Sequence, residues 1–477
     1  MKRQGRGLVI DGLTVARAAV VRAAFVLAAA VLAAFAGACT PDVGSSPPAP
    51  TSMQFDLTAT PQRVPQPTVL LVNPQTGLID FGQTGTPLPA DCTMQTAMTV
   101  AQCEFDQWLQ TLNGFPSLTP VSAPASAALD PTTLTLGVNV DVFGSLVEKA
   151  PLTTGLTVGF ETTSNSLTVT PPGPWTLGEL YWMGVRGYAS GIRDAAGGQV
   201  VGSPTMALLK EDQPLTCNAT DPTQIDPHCA GYEVVARGSP SPAAAAAQLF
   251  QLEAIRQAYI NDGGFDVMKT SGLSKNEIAV LWGFPIHKNS VPLLLPPTAA
   301  VPVVPANDTI VVGVQGPVDP ATVSAFVVKV QNGPVVVMDL TEVAAGDLAA
   351  GFPQIAATYL PTPRAIALKF SAPWPAGHQI GLFFTNGLHS PDGAPLVASP
   401  VSVLLSLPAP SGSSAPLLVD SAGHSTVSGV ADADAAALET GRAALEPLLD
   451  NPVIAALTGI TRANLVYCYA FVPTVMP

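Results

Sequence analysis

Serine, histidine and clustered acids are the side chains of this chain that could do chemistry, and their spacing decides which chemistry. A serine nucleophile on a strand-to-helix elbow needs G-x-S-x-G, because the turn is too crowded for side chains on either side. The nearest strings, Gly187-Tyr188-Ala189-Ser190-Gly191 and Gly272-Leu273-Ser274-Lys275-Asn276, fail that spacing. Neither an H-E-x-x-H string nor a P-loop occurs. Five histidines, His228, His287, His378, His389 and His424, are scattered, with His378 and His389 flanking a hairpin, where histidine is ordinarily just solvated. A triad is defined by geometry rather than by order, so a dispersed one stays open. The expectation is no catalytic residue and no enzyme. Asp420, Asp432 and Asp434 offer the hard oxygens that Ca²⁺ prefers. They lack EF-hand spacing, and Asp432 and Asp434 precede a helix, whose dipole favours acids there in any case. No metal and no cofactor are expected.

Six cysteines carry the remaining chemistry. Ala36-Gly37-Ala38-Cys39, after an apolar run from Ala23 to Phe35, resembles a bacterial lipobox, whose cysteine is diacylated and becomes the mature N-terminus. Lys2, Arg3, Arg6, Arg17 and Arg22 supply the positive region of an export signal. Fourteen residues separate Arg22 from Gly37, short of the roughly 20 needed to span a bilayer. Ala36 stands where Leu is commonest, and the basic region is long and includes Asp11. Thr40 follows the cysteine, which by resemblance to enterobacterial sorting permits the outer membrane. In an exported chain the close pairs Cys92 with Cys103, and Cys217 with Cys229, predict two local disulfides. A metal site would need tighter spacing, and only His228 beside Cys229 comes near it. Cys468, between Tyr467 and Tyr469, reads as a buried free thiol.

Positioning these residues falls to a long, weakly charged chain. Residues 1–38 hold five bases and one acid, so the mature chain carries 15 Lys+Arg against 33 Asp+Glu. No basic cluster exists to displace counterions, which argues against nucleic acid as a partner. Forty-eight prolines and 41 glycines between short runs of Val, Thr and Leu predict short strands and punctuated turns. A chain this long calls for more than one core.

Landmarks recur in the same order in two halves. Leu129-Asp130-Pro131-Thr132-Thr133-Leu134 answers Val318-Asp319-Pro320-Ala321-Thr322-Val323, and Pro174-Trp175 with Gly178 answers Pro373-Trp374 with Gly377. Ser203-Pro204 answers Ser399-Pro400; Leu252-Glu253 with Arg256 answers Leu438-Glu439 with Arg442; Phe284 answers Phe471. Tyr181, Met183 and Val185 alternate, as do Ile380, Leu382 and Phe384, and a short helix and a closing strand follow in each half.

The Asp-Pro-x-Thr turn, the Pro-Trp-x-x-Gly hairpin entry and the Gly-rich return hairpin resemble bacterial Ig-like domains of surface and S-layer-associated proteins. Val69–Phe81, with Asn73-Pro74-Gln75-Thr76-Gly77-Leu78, then Leu112-Asn113-Gly114-Phe115, is similar to the non-catalytic N-terminal part of exported bacterial lipases. These resemblances imply a mainly β protein of tandem Ig-like antiparallel sandwiches, each with a short helical elaboration and a closing strand. The expected organisation is a signal peptide (1–38), a flexible tether (39–65), repeat 1 (66–290), a Pro-rich linker (291–306) and repeat 2 (307–477). The repeats consume nearly all of the folded length, leaving no room for a hydrolase. The expected role is binding, adhesion or architecture in the envelope. The membrane would be held through lipid, and an envelope or extracellular protein or a glycan would be the ligand. The competing class is an accessory module or degenerate relative of an exported lipase.

Overall fold

Prolines open four of the described α-helices as well as punctuating turns. Ser203-Pro204, Ser241-Pro242, Ser399-Pro400 and Asn451-Pro452 each start an α-helix, with the polar side chain accepting from a first-turn amide and proline at the position that needs no N–H. The computed structural model describes residues 49–473 except 58, 60–61, 85–86, 95–98, 218, 238, 294–308, 328–332, 374 and 410–415. The signal segment, Cys39 and Trp374 lie outside the described residues.

In chain order the first half contains β1 (Ser52–Met53), α1 (Val100–Leu109), β2 (Val121–Pro124), β3 (Val140–Gly144), β4 (Ala150–Pro151), β5 (Thr157–Glu161), β6 (Ser166–Thr170) and β7 (Leu180–Arg186). It continues with β8 (Val201–Gly202), α2 (Pro204–Leu209), α3 (Ala230–Ala236), α4 (Pro242–Asn261), α5 (Gly264–Thr270) and β9 (Ile278–Pro285). The second half contains β10 (Val291–Pro292), β11 (Ile310–Gln315), β12 (Val335–Asp339), α6 (Leu340–Ala345), β13 (Ile355–Leu360), β14 (Ala365–Phe370) and β15 (Ile380–Thr385). It closes with α7 (Pro400–Ser406), α8 (Asp432–Leu449), α9 (Pro452–Thr458) and β16 (Leu465–Phe471).

Two antiparallel sheets serve each half. Their orders are β2-β6-β5 and β4-β3-β7-β9 in the first, and β10-β11-β14-β13 and β12-β15-β16 in the second. A short parallel pair, β1 with β8, makes a fifth sheet. Apart from the edge strands β4 and β10, which have no counterpart among the described residues of the other half, strand order and register coincide between halves. Tyr181 faces Phe284 where Ile380 faces Phe471, and the register slips after Val185 in β7 and after Phe384 in β15. The Asp130 and Asp319 turns also match: each carboxylate accepts an amide two residues on, and Thr133 or Thr322 donates back to the aspartate carbonyl.

Strand alternation predicts one buried face, yet both faces of β7 and β9 are buried. Helices cover the second face. The Trp182 ring meets Tyr259 of α4 edge-on at 5.2 Å, and Gly264 opens α5 against that ring, where a Cβ would come within 2.7 Å. Trp175, Tyr181 and Phe284 pack together elsewhere in the same core. In the second half Cys468 is wholly buried as a free thiol beside the Ser402 carbonyl of α7. Burial pushes that thiol up to about 12.

Three expectations are corrected. The fold is mixed rather than mainly β, with 29% helix against 25% strand. Its helical layer is larger than the predicted short elaboration because Ala243–Ala247 are strong helix formers behind a capped proline. The tether reading of 39–65 fails at its end. Met53 and Phe55 are fully buried, β1 pairs with β8, and Asp56 and Arg63 exchange backbone hydrogen bonds, because apolar residues recur among the polar ones there. The linker reading of 291–306 fails at its start, where β10 adds to β11. Proline lacks a donor but is tolerated on that edge.

The halves have separate cores within one compact unit, Thr51–Pro477. Helix α1 joins them: Leu109 belongs to the first core, Ala101 to the second, and Phe105 and Trp108 pack against both. Gln315 Nε2 donates to Trp175 O at 2.6 Å, and Ser428 N donates to Gln102 Oε1 at 2.7 Å across the same junction.

Candidate functional site

Each half must satisfy the amides of a tight turn where its β3 or β12 strand ends, and the two do so differently. In the first half β3 ends at Gly144, opposite Tyr181. The buried Glu179 carboxylate accepts from the amides of Leu146 (2.6 Å), Val147 (3.0 Å), Glu148 (2.6 Å) and Leu180 (2.9 Å). Gly144 leaves it room, since a Cβ there would lie 2.9 Å from Glu179 Oε2.

In the second half β12 ends at Asp339, which faces Ile380 as Gly144 faces Tyr181. Asp339 itself caps the turn: Oδ1 accepts from Thr341 N at 3.1 Å and Glu342 N at 3.2 Å, starting α6. In the connection that leads into β15 the residue after Gly377 is His378, where in the connection into β7 the residue after Gly178 is Glu179. His378 Nδ1 lies 2.8 Å from Asp339 Oδ2 and 3.7 Å from Glu342 Oε1. A further bond, Gln379 N to Thr341 Oγ1 at 2.9 Å, ties the entry of β15 to the helix start. Asp339 is 4% exposed at its side chain, while His378 and Glu342 are each 31% exposed. The cluster is therefore anchored inside and open outside.

Two chemistries are available to such a cluster. With Nδ1–H donating to Asp339, the other ring nitrogen of His378 is a base of fixed orientation. Alternatively one ligand atom from each of Asp339, Glu342 and His378, all within 4.8 Å of one another, can share a cation. Sequence reading missed the group, taking His378 for a solvated hairpin residue. The available signal was the Asp339-Leu340-Thr341-Glu342 helix start, which sets two acids on one turn, but nothing in the chain order joins it to His378.

Other predicted residues fall as follows. Cys92 and Cys103 are bonded to each other with Cα atoms 5.6 Å apart, and Cys217 and Cys229 with Cα atoms 6.0 Å apart. The first bridge anchors α1; the second holds the start of α3 to the preceding loop. Cys229 is thereby unavailable to a metal shared with His228. Asp420 accepts from Ala422 N and His424 N, closing a turn, and Asp432 Oδ2 lies 3.0 Å from the exposed His424 Nδ1. His287 is buried, and burial lowers it to about 4. His389 lends its backbone to the Asp319–Thr322 turn.

No helix among the described residues is long and apolar enough to cross a membrane. Two disulfides fit an extracellular or envelope protein. No protein-family model and no curated protein matches this chain.

Proposed function

We propose that this chain is a lipid-anchored envelope lipoprotein, held at the outer membrane through Cys39, whose duplicated Ig-like body binds or organises another envelope or extracellular component. The observation that carries the reading is the pair of local disulfides, which fits an oxidising compartment, in a chain whose first residues resemble an export signal ending in a lipobox-like cysteine. Duplication of one ancestral unit accounts for the common strand order, the shared register slip and the matched Asp-Pro turns. Recognition by loops on a rigid β scaffold is the ordinary use of such an architecture. Crosslinking on intact cells tests it. The protein should capture an envelope or extracellular protein or a glycan, whereas capture confined to cytoplasmic components contradicts the reading.

A second reading, descent from an exported lipase or service beside one, has one observation in its favour. The Asp339–His378 pair has the carboxylate-to-imidazole bond of a hydrolytic base. Ester turnover abolished in His378→Ala would make that pair a working hydrolytic base; turnover unaffected by the change, or none at all, would leave the pair no role as one.

A further inference from the structure

We infer that Asp339, Glu342 and His378 form a Zn²⁺ site, with Asp339 Oδ2, Glu342 Oε1 and His378 Nδ1 as ligands and a fourth position open to water. The inference does not rest on the lipid anchor or on the identity of any partner.

Geometry comes first. Tetrahedral Zn²⁺ with bonds of about 2.0–2.1 Å sets its ligand atoms about 3.3 Å apart. The observed separations, 2.8 Å from Nδ1 to Oδ2 and 3.7 Å from Nδ1 to Oε1, bracket that value. Asp339 is also prepared as a ligand. Its Oδ1 is fixed by two amides of α6, which orients Oδ2 as a second shell orients a metal ligand.

Capping does not explain the whole cluster. The first half meets the same need at the same strand end with a single carboxylate, Glu179. Matched from that strand end, Gly144 and Asp339 correspond, as do Val147 and Glu342; matched from the glycine before β7 or β15, Glu179 and His378 correspond. Once Asp339 takes over the amides, an imidazole and a second carboxylate at the other two positions are additions that capping does not require. Two carboxylates and an imidazole nitrogen converging on one point are a donor set that a dication can share.

Donor chemistry selects the ion. Ca²⁺ takes six to eight oxygens and Mg²⁺ a near-octahedral oxygen shell, which an imidazole-bearing triad does not offer. One nitrogen and two carboxylate oxygens with an open position suit Zn²⁺.

Calorimetric titration of the untagged, EDTA-treated protein with Zn²⁺ tests the site, with Ca²⁺ and Mg²⁺ titrated in parallel. The expected result is one Zn²⁺ per chain and a Zn²⁺-dependent rise in thermal midpoint. Loss of a ligand should cost more than the roughly 10–100-fold of a lost second-shell partner, so His378→Ala and Glu342→Gln should each weaken binding about 100-fold or more. His424→Ala, which removes the exposed imidazole beside Asp432, should leave binding unchanged. Asp339 is not the residue to replace, because its loss also uncaps α6. Melting of each variant without metal separates lost ligation from lost folding. Absence of saturable binding, unchanged affinity in His378→Ala, or loss in His424→Ala would overturn the site.

Discussion

At the residue scale, the buried ionisable side chains are where sequence and environment conflict most. Glu179 is fully buried yet accepts four amides, which is what keeps a carboxylate tolerable there. Glu179→Ala should cost about 1–3 kcal/mol by chemical denaturation, since it removes the shared acceptor of four turn amides. A loss under about 1 kcal/mol would mean the turn does not depend on it. Asp106, 9% exposed on α1, is different: burial raises its carboxyl from 3.8 to about 6, and a single Gln102 hydrogen bond only partly opposes this. Its folded state holds the proton more tightly than the unfolded state does. The stability it contributes is therefore full below pH 3.8 and is lost as pH rises through about 6. Asp106→Asn should be more stable than the parent at pH 7, by on the order of 3 kcal/mol, with the difference vanishing near pH 4. His287 acts in the opposite sense. Lowered to about 4 by burial, it favours the fold above 6.5 and withdraws that support as pH falls through about 4. Removing Asp106 should thus steepen acid unfolding, as denaturation midpoints between pH 4 and 7 would record. Equal pH slopes in parent and variant would contradict the assignment.

At the element scale, each half locks its long helix onto the preceding loop with one buried arginine. Arg256 on α4 pairs with Glu253 at 2.8 Å and donates to Glu211 O at 3.0 Å, while Glu253 accepts from Leu215 N. Arg442 on α8 pairs with Glu439 at 2.7 Å and donates to Leu407 O at 3.4 Å, while Glu439 accepts from Leu417 N and Leu418 N. Removing one partner of such a pair leaves a buried charge, so Arg256→Ala and Arg442→Ala should each cost about 3–5 kcal/mol in thermal or denaturant unfolding. A large loss in one and none in the other would mean the staples are not equivalent. The glutamate–arginine spacing was legible in the sequence at i, i+3, as were the Asp-Pro turns and the closing strands, because each is a local pattern; the expected hairpins do not form as strand pairs, since β7 pairs with β3 and β9 and Val201 pairs with Ser52. Helix length was not legible, since Ser241-Pro242 reads as a break until proline is seen at the first helical position. Burial of both faces of β9 was equally hidden: the residues between its alternating positions, Ala279, Leu281 and Gly283, carry no sign that helices cover them. The Asp339–Glu342–His378 cluster needed the entry of β15 and the helix start to meet, a long-range contact with no local trace.

At the scale of the whole molecule, the halves are fused rather than strung on a spacer. Helix α1 packs into both cores and is held by the Cys92–Cys103 bridge, so the halves should unfold together as a single calorimetric transition. Replacing Cys92 and Cys103 by serine should lower stability by roughly 2–4 kcal/mol on the chain-entropy account. Two resolved transitions in the parent would show that the junction carries little energy. The central claim concerns the other end of the chain: a disulfide-bearing body anchored by lipid at Cys39. Mass spectrometry of the N-terminal peptide from membrane-extracted protein tests it most directly. The account predicts a peptide that begins at Cys39 and carries the added mass of a diacylglyceryl group, lost together with membrane association in Cys39→Ala. A peptide that retains residues before Cys39, or an unmodified cysteine in a chain released as soluble protein, would contradict it.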